Sequence, residues 1–237
     1  MPGTLYLIPS SLGDTPWANY LPAATRDIAC QLGHFIVENA KTTRAELKRL
    51  GHPIPLREIT LEQLPERLAA GDIERLLTPL LAGKDVGLMS EAGCPGVADP
   101  GALLVRRAHE YGITVRPLVG PSSLLLALMA SGLDGQRFAF HGYIPAKEPE
   151  RSRRIVELER DAHRLGQTQL FIEAPYRNDA LFLSLLAACR PDTRLCLATD
   201  LTLPSEMVAT RTISGWQRTT APALDRRPTV FLLLSAG

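Results

Sequence analysis

The sequence predicts an α/β protein made of two α/β domains. Short apolar runs typical of buried strands alternate with segments that have helical periodicity, and this order favours a mostly parallel sheet covered by helices. Residues 146–152 are charged and interrupted by Pro149, which predicts a linker. We therefore expect an N-terminal domain over residues 1–145 and a C-terminal domain over residues 146–237.

The elements of the N-terminal domain follow from apolar runs and the residues that end them. Strands are predicted at residues 4–9, 35–38, 86–90, 114–119 and 137–141. Helices are predicted at residues 22–32, 42–50, 62–82, 101–111 and 122–131, the last of which stops at Gly132.

The C-terminal domain shows the same alternation with one exception. An amphipathic helix at 152–165 ends at Gly166, and a second helix is predicted at 177–189. Strands are predicted at residues 168–173, 194–199 and 229–235. Alternating side chains at 207–216 indicate a further, antiparallel strand, so we expect a mixed sheet in this domain.

The most informative segment is residues 87–101, where a buried strand enters a loop of small residues. Asp99 is predicted to cap the following helix and Pro100 to be its first residue, because proline has no N–H to leave unpaired there. Glycine and alanine in this loop leave room for a ligand against bare backbone, and ligands of open α/β sheets bind at such strand ends. An ordinary strand–helix turn is the alternative interpretation.

A second loop of the same kind favours the ligand interpretation. The strand at 114–119 is followed by Gly-Pro-Ser-Ser at 120–123. Neither loop has the Gly-x-Gly-x-x-Gly pattern or the Lys-Ser/Thr pair that cradles phosphate. The two loops therefore favour a nucleoside-like ligand without phosphate groups.

These loops resemble those of the SAM-dependent tetrapyrrole methylase superfamily, within it the branch that methylates a ribose 2′-hydroxyl of small-subunit ribosomal RNA. Ser-Glu-Ala-Gly-Cys-Pro at 90–95 with Asp-Pro-Gly at 99–101 is similar to that branch's Ser-Asp-Ala-Gly-Thr-Pro and Asp-Pro-Gly. Further similar motifs occur in the same order and span nearly the whole chain, at residues 119–122, 142–145 and 171–177.

The sequence departs from that branch in three motifs, at residues 8–14, 37–43 and 199–206. We also expect the chain, which ends at Gly237, to lack the branch's small C-terminal region. The methyl-donor motifs are thus kept better than the acceptor motifs, which indicates a divergent sister group.

The resemblance implies S-adenosyl-L-methionine (SAM) as cofactor, bound in the cleft between the two domains. The cofactor-binding positions that it implies are Pro9, Ser90, Ala92, Gly93, Cys94, Val97, Ser122, Ser123, Glu173, Ala174, Leu201 and Thr229. Ser122 and Ser123 carry hydroxyls suited to the polar groups of SAM. The resemblance also implies a homodimer.

The resemblance implies RNA as the methyl acceptor. Glu38, Lys41 and Arg44 stand where the branch has an acidic and basic cluster, and Glu206 is a further acidic candidate; a solvated helix start is the alternative for the first three. No residue is assigned a catalytic role. A tetrapyrrole or other small molecule remains an alternative acceptor, as does a paralogue that binds SAM without catalysis.

Composition agrees with a cytoplasmic enzyme. Lysine and arginine total 26 against 25 acidic residues, so no global basic field attracts nucleic acid, although a local patch would suffice. The basic cluster at 151–154 is interpreted as a solvated helix start, with phosphate contact as the alternative. The four cysteines and five histidines show no metal-ligand spacing, and we expect no bound metal. No apolar run approaches the roughly 20 residues of a membrane span, and we expect no signal peptide.

Overall fold

The predicted α/β class with a parallel and a mixed sheet is confirmed by a computed structural model that describes residues 1–65 and 69–235. Contacts group the chain into two units, Met1–Ser122 and Ser123–Gly237. The boundary predicted after residue 145 falls within the span of the second unit, between a strand and a helix.

The first unit is a five-stranded sheet in the order β3-β2-β4-β1-β5, and every neighbouring pair of strands is parallel. Its elements are β1 (Thr4–Leu7), α1 (Ala23–Ala29), β2 (His34–Val37), α2 (Ala40–Arg49), β3 (Thr60–Gln63), α3 (Ala70–Leu81), β4 (Val86–Met89), α4 (Ala102–Glu110) and β5 (Thr114–Pro117). Along β2, Phe35 and Val37 belong to one apolar cluster and Ile36 to another. Because side chains alternate along a strand, the sheet is covered on both faces.

The second unit is a five-stranded mixed sheet in the order β6-β7-β10-β8-β9, in which only β6 and β7 pair in parallel. Its elements are α5 (Ser123–Ser131), β6 (Phe138–Tyr143), α6 (Glu150–Leu165), β7 (Thr168–Ile172), α7 (Asn178–Ala188), β8 (Arg194–Thr199), β9 (Met207–Thr212), α8 (Ile213–Gln217) and β10 (Thr229–Leu234). Phe171 and Phe231 stack across the sheet with ring centroids 5.9 Å apart, and both are fully buried.

The helix predicted over 62–82 is wrong in its first part. Thr60–Gln63 forms β3, which pairs in parallel with β2, and the helix itself is Ala70–Leu81. A four-residue edge strand is too short to show a clear alternation, and Leu64, buried after it, extends the helical pattern backwards. Residues 66–68 of that prediction lie outside the described residues.

Two boundaries in the second unit also differ from the predictions. The antiparallel strand predicted to Trp216 is confirmed only as far as Thr212, where the Thr212 hydroxyl accepts a hydrogen bond from the Gly215 N–H at 3.1 Å and starts α8. The charged segment at 146–152, predicted as a linker, is in part helical, because α6 begins at Glu150.

The predicted cap of α4 is wrong. The residue before the helix is Gly101, whose φ is +127°, and the first helical residue is Ala102 rather than Pro100. A Cβ atom at Gly101 would lie 3.1 Å from Leu88 Cδ2, so glycine is favoured both by this backbone conformation and by the available space. Asp99 therefore precedes the helix by three residues and does not cap it.

Asp99 turns instead toward the end of β4. Its side chain hydrogen-bonds that of Ser90, and burial, followed by the negative charge of Glu38, raises the pKa of its carboxyl from 3.8 to about 6. The nearby Glu91 raises it further, and the Ser90 hydrogen bond lowers it. Asp99 is thus a carboxyl group that the fold favours in its protonated form.

Asp99 should make the stability of the protein depend on pH. Since its folded pKa is raised, its stabilising contribution is complete below about pH 4 and is lost as the pH rises through 6. Asp99→Asn mimics the protonated form, so its melting temperature should exceed that of the wild type more at pH 8 than at pH 4. Solvent screening of this half-buried group limits the gain to about 1 kcal/mol. Melting curves across this range measure it, and a difference independent of pH would contradict it.

Candidate functional site

Two loops at the carboxyl ends of neighbouring parallel strands in the first unit are joined through their backbones. After β1, the Ser10 N–H donates to the Gly93 carbonyl at 2.9 Å, and the Gly93 N–H donates back to Ser10 at 3.1 Å. The Ser10 hydroxyl also donates to the Ser90 carbonyl at 2.9 Å. The loop after β4 is therefore held against the loop after β1.

The loop after β5 meets the same two loops. A Cβ atom at Gly120 would lie only 2.4 Å from Pro9 Cβ, so the third loop approaches the first as closely as a glycine permits. The Cys94 thiol donates to the Pro121 carbonyl at 3.4 Å and ties it to the second loop. Burial raises the pKa of that thiol, and the charge of Asp99 adds to the effect, so Cys94 is held as a neutral thiol.

The residues predicted for the cofactor in the first unit come together at this edge of the sheet. They are Pro9, Ser90, Ala92, Gly93, Cys94, Val97 and Ser122. Ala92 and Val97 are exposed, whereas Pro9, Ser90 and Gly93 are buried. Gly93 has a φ of +71°, and a Cβ there would meet Leu12 at an ordinary 3.5 Å, so backbone conformation rather than space requires this glycine. Ser123 begins α5 in the second unit.

A pocket of about 230 Å³ lies beside the joined loops, lined by the loop after β1, by α2 and by the loop after β4. Thr43 lines it, is almost fully buried, and has a hydroxyl without a hydrogen-bond partner among the residues the structure describes. Because an unpaired buried polar atom is costly, such a hydroxyl indicates a place for a water or a polar ligand atom.

The wall of this pocket is stabilised by the buried carboxylate of Glu46. It accepts hydrogen bonds from the Ser11 N–H at 3.1 Å, from the Ser11 hydroxyl at 3.0 Å, from the Tyr20 hydroxyl and from the Arg49 guanidinium. Arg49 continues to Asp14 at 3.0 Å. Burial raises the pKa of the Tyr20 phenol, with the Glu46 hydrogen bond as the second cause. This cluster attaches the loop after β1 to α2.

The residues predicted for the acceptor lie around α2, apart from Glu206 in the second unit. Glu38 accepts a hydrogen bond from the Glu91 N–H at 3.0 Å and so orders the loop after β4. Lys41 and Arg44 are exposed on α2, and neither forms an ion pair with any part of the chain that the structure describes. Glu206 accepts from the Thr202 N–H at 2.7 Å and closes a turn after β8.

The residues predicted for the cofactor in the second unit share one edge of its sheet. Because β10 is antiparallel to both β7 and β8, its beginning lies beside the carboxyl ends of those two strands. Glu173 and Ala174 follow β7, Leu201 follows β8, and Thr229 begins β10, where its hydroxyl lies 3.1 Å from that of Thr199.

This second edge also carries buried polar atoms that lack partners among residues 1–65 and 69–235. They are Glu173 Oε2, Arg177 Nε, Asn178 Oδ1 and Thr202 Oγ1. The other oxygen of Glu173 accepts from the Ala174 N–H at 2.7 Å and from Arg177 Nη2 at 2.6 Å. The group is therefore half satisfied, which is typical of sites that bind polar ligands or water.

Sequence reasoning did not identify Glu46, Thr43, Asn178 or Thr202. For Glu46 a signal exists, since it is an acidic residue on the face of α2 that Leu47 and Leu50 bury. Thr43 and Asn178 carry no local signal. Thr202 has a φ of +73°, and no residue in its segment is of a type that predicts this backbone conformation.

The structure also bears on metal binding and on membrane-spanning helices. In the part of the chain that it describes, no three histidine, cysteine or acidic side chains are placed so that they could hold a metal ion. No helix within those residues is both long and apolar enough to cross a membrane.

The basic cluster at residues 151–154 is only partly exposed. Arg151 is buried, with its Nε atom 3.3 Å from Glu148, and Arg154 forms an ion pair with Glu157 at 3.1 Å. Of the three arginines, only Arg153 is exposed.

Several relatives of the chain are named as ribosomal RNA methyltransferases. The chain is 34% identical over 237 residues to "Ribosomal RNA small subunit methyltransferase I" of Xylella fastidiosa, covering all of this chain and 82% of that protein. It is 32% identical over 200 residues to the protein of that name from Streptococcus pyogenes, of which it spans 65%, and 84% of this chain is covered. For the Vibrio cholerae protein the identity is 29%, and the alignment covers 86% of this chain and 67% of that protein.

Similar folds occur among solved structures. The methyltransferase CobJ superposes with a TM-score of 0.63 at 18% identity, covering all of this chain and 95% of CobJ. Uroporphyrin-III-C-methyltransferase from Thermus thermophilus gives a TM-score of 0.56 at 18% identity, covering 99% of this chain and 93% of that one. Residues 31–215 match the family model described as Tetrapyrrole (Corrin/Porphyrin) Methylases. The chain therefore belongs to the tetrapyrrole methylase family of methyltransferases, whose methyl donor is SAM.

Proposed function

We propose that this chain is a SAM-dependent methyltransferase that methylates a ribose 2′-hydroxyl of ribosomal RNA. The observation that carries the proposal is the junction of three small-residue loops at the carboxyl edge of the parallel sheet, centred on the Ser10–Gly93 pair. Ligands of open α/β sheets bind at this edge. The names of the relatives at 32% and 34% identity support RNA as the acceptor.

The residues at this junction fit SAM, which has an ammonium, a carboxylate and ribose hydroxyls but no phosphate. The loops offer backbone N–H and C=O groups in small-residue surroundings, and Thr43, beside the adjoining pocket, has a buried hydroxyl without a partner among the described residues. We assign the donor to Pro9, Ser90, Ala92, Gly93, Cys94, Val97, Ser122 and Ser123, together with Glu173, Ala174, Leu201 and Thr229 of the second unit.

When bound, SAM supplies a methyl group on a positively charged sulfur, which is already a good leaving group. The residues of the chain therefore have to align the acceptor and exclude water more than they have to activate the donor. The Ser10–Gly93 and Cys94–Pro121 hydrogen bonds keep the three loops in one arrangement and thus serve this alignment.

For the acceptor we propose the exposed face of α2. Lys41 and Arg44 lie three residues apart on this face, and Lys48 follows one turn later, so three cations project from one side of the helix. Unpaired cations suit the phosphates of RNA. Glu38 orders the neighbouring loop, and Glu206 remains a proposed acceptor contact in the second unit. We also propose a cytoplasmic location, which is supported by four free cysteines.

The donor assignment predicts that filling the junction abolishes SAM binding. Ala92 is exposed and lines the pocket, so Ala92→Phe should retain the fold while its ring occupies ligand space. Isothermal titration should give micromolar affinity for the wild type and no detectable binding for the variant. Ala102→Phe places the same ring on the exposed first residue of α4 and should bind SAM normally. Normal binding by Ala92→Phe would place the donor elsewhere.

The acceptor assignment predicts a salt-dependent affinity for RNA. Replacing Lys41 and Arg44 with alanine should reduce the slope of log K against log salt by about 0.7 to 0.9 per residue, because each phosphate contact releases counterions. SAM binding should not change. The matched control is Arg57→Ala with Lys84→Ala, two exposed cations that precede β3 and β4 and thus lie at the opposite edge of the sheet. An equal reduction in both variants would contradict the assignment.

Transfer of labelled methyl from SAM to small-subunit ribosomal RNA tests the function directly. We expect label in RNA that resists alkaline cleavage at the modified nucleotide, since a 2′-O-methyl group blocks attack by that oxygen. Label in a tetrapyrrole instead would identify the alternative acceptor. SAM binding without transfer to either would identify a non-catalytic paralogue.

We also propose that the chain forms a homodimer through α5. Met129 on this helix is 79% exposed and Leu125 precedes it by one turn, whereas Ala127 and Leu128 are buried. Light scattering should give twice the chain mass, and Met129→Glu should shift it to the monomer. Val156→Glu, on the exposed side of α6, serves as the control and should remain dimeric. A wild-type monomer at tens of micromolar would contradict the proposal.

A further inference from the structure

An exposed tyrosine ends strand β6 because of an irregularity in that strand. The register between β6 and β7 shifts after Phe140, and Gly142 has a φ of +65°. This bulge brings Tyr143, rather than Gly142, opposite Ile172, the last residue of β7. The Tyr143 side chain is 63% exposed, at the same edge of the second unit as Glu173.

A second exposed tyrosine follows β7 and is held in place by an arginine. Tyr176 lies in the 3-10 turn Pro175–Arg177 and is 67% exposed. Arg177 Nη1 donates to the Tyr176 hydroxyl at 2.7 Å, and the guanidinium carbon lies 4.9 Å from the centre of the ring. Arg177 is in turn held by the fully buried Glu173 carboxylate at 2.6 Å. The Tyr176 ring is therefore exposed and yet fixed.

The two tyrosines lie at the same end of the second unit's sheet, because Tyr143 stands opposite Ile172 and Tyr176 follows Ile172 by four residues. The pKa of Arg177 is raised first by its hydrogen bond with Glu173, and the charges of Glu173, Tyr176 and Tyr143 all contribute in the same direction. This end of the sheet therefore carries two exposed aromatic rings, and the Arg177 guanidinium lies against one of them. Exposed aromatic rings and guanidinium planes are the surfaces on which proteins stack unpaired bases of single-stranded RNA.

We infer that Tyr143, Tyr176 and Arg177 form a base-stacking platform that binds an unpaired nucleobase of the RNA acceptor. This inference rests on the proposed function and names the part of the substrate that the second unit recognises. The platform binds the face of a base and not its edge, so it accepts any base.

The charge at the platform favours a nucleobase over a tetrapyrrole. A tetrapyrrole would also stack on flat rings, but its several carboxylates require cations that are still free to pair with them. Arg177 is already neutralised by Glu173, so the platform offers aromatic surface and little free charge. The face of a nucleobase carries no charge and matches this surface.

The test uses the full chain and a fluorescent oligouridylate, compared with the same oligomer in which the bases are replaced by abasic ribose. By anisotropy, the wild type should bind the oligouridylate about tenfold more tightly than the abasic strand. The Tyr143→Ala/Tyr176→Ala double variant should lose this preference. Its slope of log K against log salt should stay unchanged, because stacking releases no phosphate counterions.

Two further variants separate stacking from a general effect on the fold. Tyr176→Phe keeps the ring and should keep most of the preference for bases. Leu183→Ala removes an exposed side chain of similar accessibility, 62%, from α7 of the same unit, and should bind like the wild type. Equal melting temperatures would show that the double variant folds.

The outcomes distinguish the platform from the proposed function. An unchanged base preference in the double variant, or no RNA binding by the wild type, overturns the platform. Porphyrin binding is measured in the same variants. If the double variant loses binding to a porphyrin but binds oligouridylate like the wild type, the tyrosines bind a tetrapyrrole and the platform is overturned. A base preference that depends on the tyrosines, without methyl transfer to ribosomal RNA, supports the platform and overturns the proposed function alone.

Discussion

The two hydrogen bonds between Ser10 and Gly93 are the interaction on which the candidate donor site depends. Parallel strands end in separate loops, and in the part of the chain that the structure describes the β1–β4 pairing ends at Leu7 and Leu88. The Ser10–Gly93 pair adds one antiparallel bridge at this point, and it requires Gly93 to adopt a φ of +71°. The loop after β5 then closes on this pair through the contact of Gly120 with Pro9. A ligand at this edge meets backbone that is already ordered, which lowers the entropic cost of binding.

The Glu46 carboxylate extends this order from the backbone to the pocket beside it. A buried charge is tolerated only where donors surround it, and Ser11, Tyr20 and Arg49 all donate to Glu46. The cluster attaches the loop after β1 to the same helix that presents Lys41 and Arg44 on its other face. Helix α2 thus contributes to both proposed sites, with buried residues toward the donor loops and exposed cations toward solvent.

The fold and the small-residue loops at the carboxyl ends of β1, β4 and β5 could be predicted from the sequence because backbone chemistry determines both. Apolar periodicity identified most strands and helices, and the small residues at 92–93 and 120 marked loops that approach one another closely. The short edge strand β3 was missed, because four residues pair with β2 through backbone atoms and carry little pattern of their own. Asp99 was misassigned as a cap, because a favourable local position was overridden by the packing of Gly101 on Leu88. Glu46 was missed because its role depends on Ser11 and Tyr20, which are distant in sequence, and Thr43 was missed because the burial of its hydroxyl leaves no mark in the local sequence.

Donor binding and acceptor binding, the two proposed halves of the reaction, differ in the same way in how far the sequence predicts them. Donor binding relies on loop conformations that glycine, proline and small residues specify, so the motifs that carry it can be identified in a divergent chain. Acceptor binding relies on what side chains present to solvent, and such positions change without cost to the fold. Tyr143 and Tyr176 combine both features, since each is exposed but is placed by a buried constraint: the β6 bulge for one and the Glu173–Arg177 ion pair for the other. We therefore assign base recognition to these two rings and phosphate contact to the exposed cations of α2.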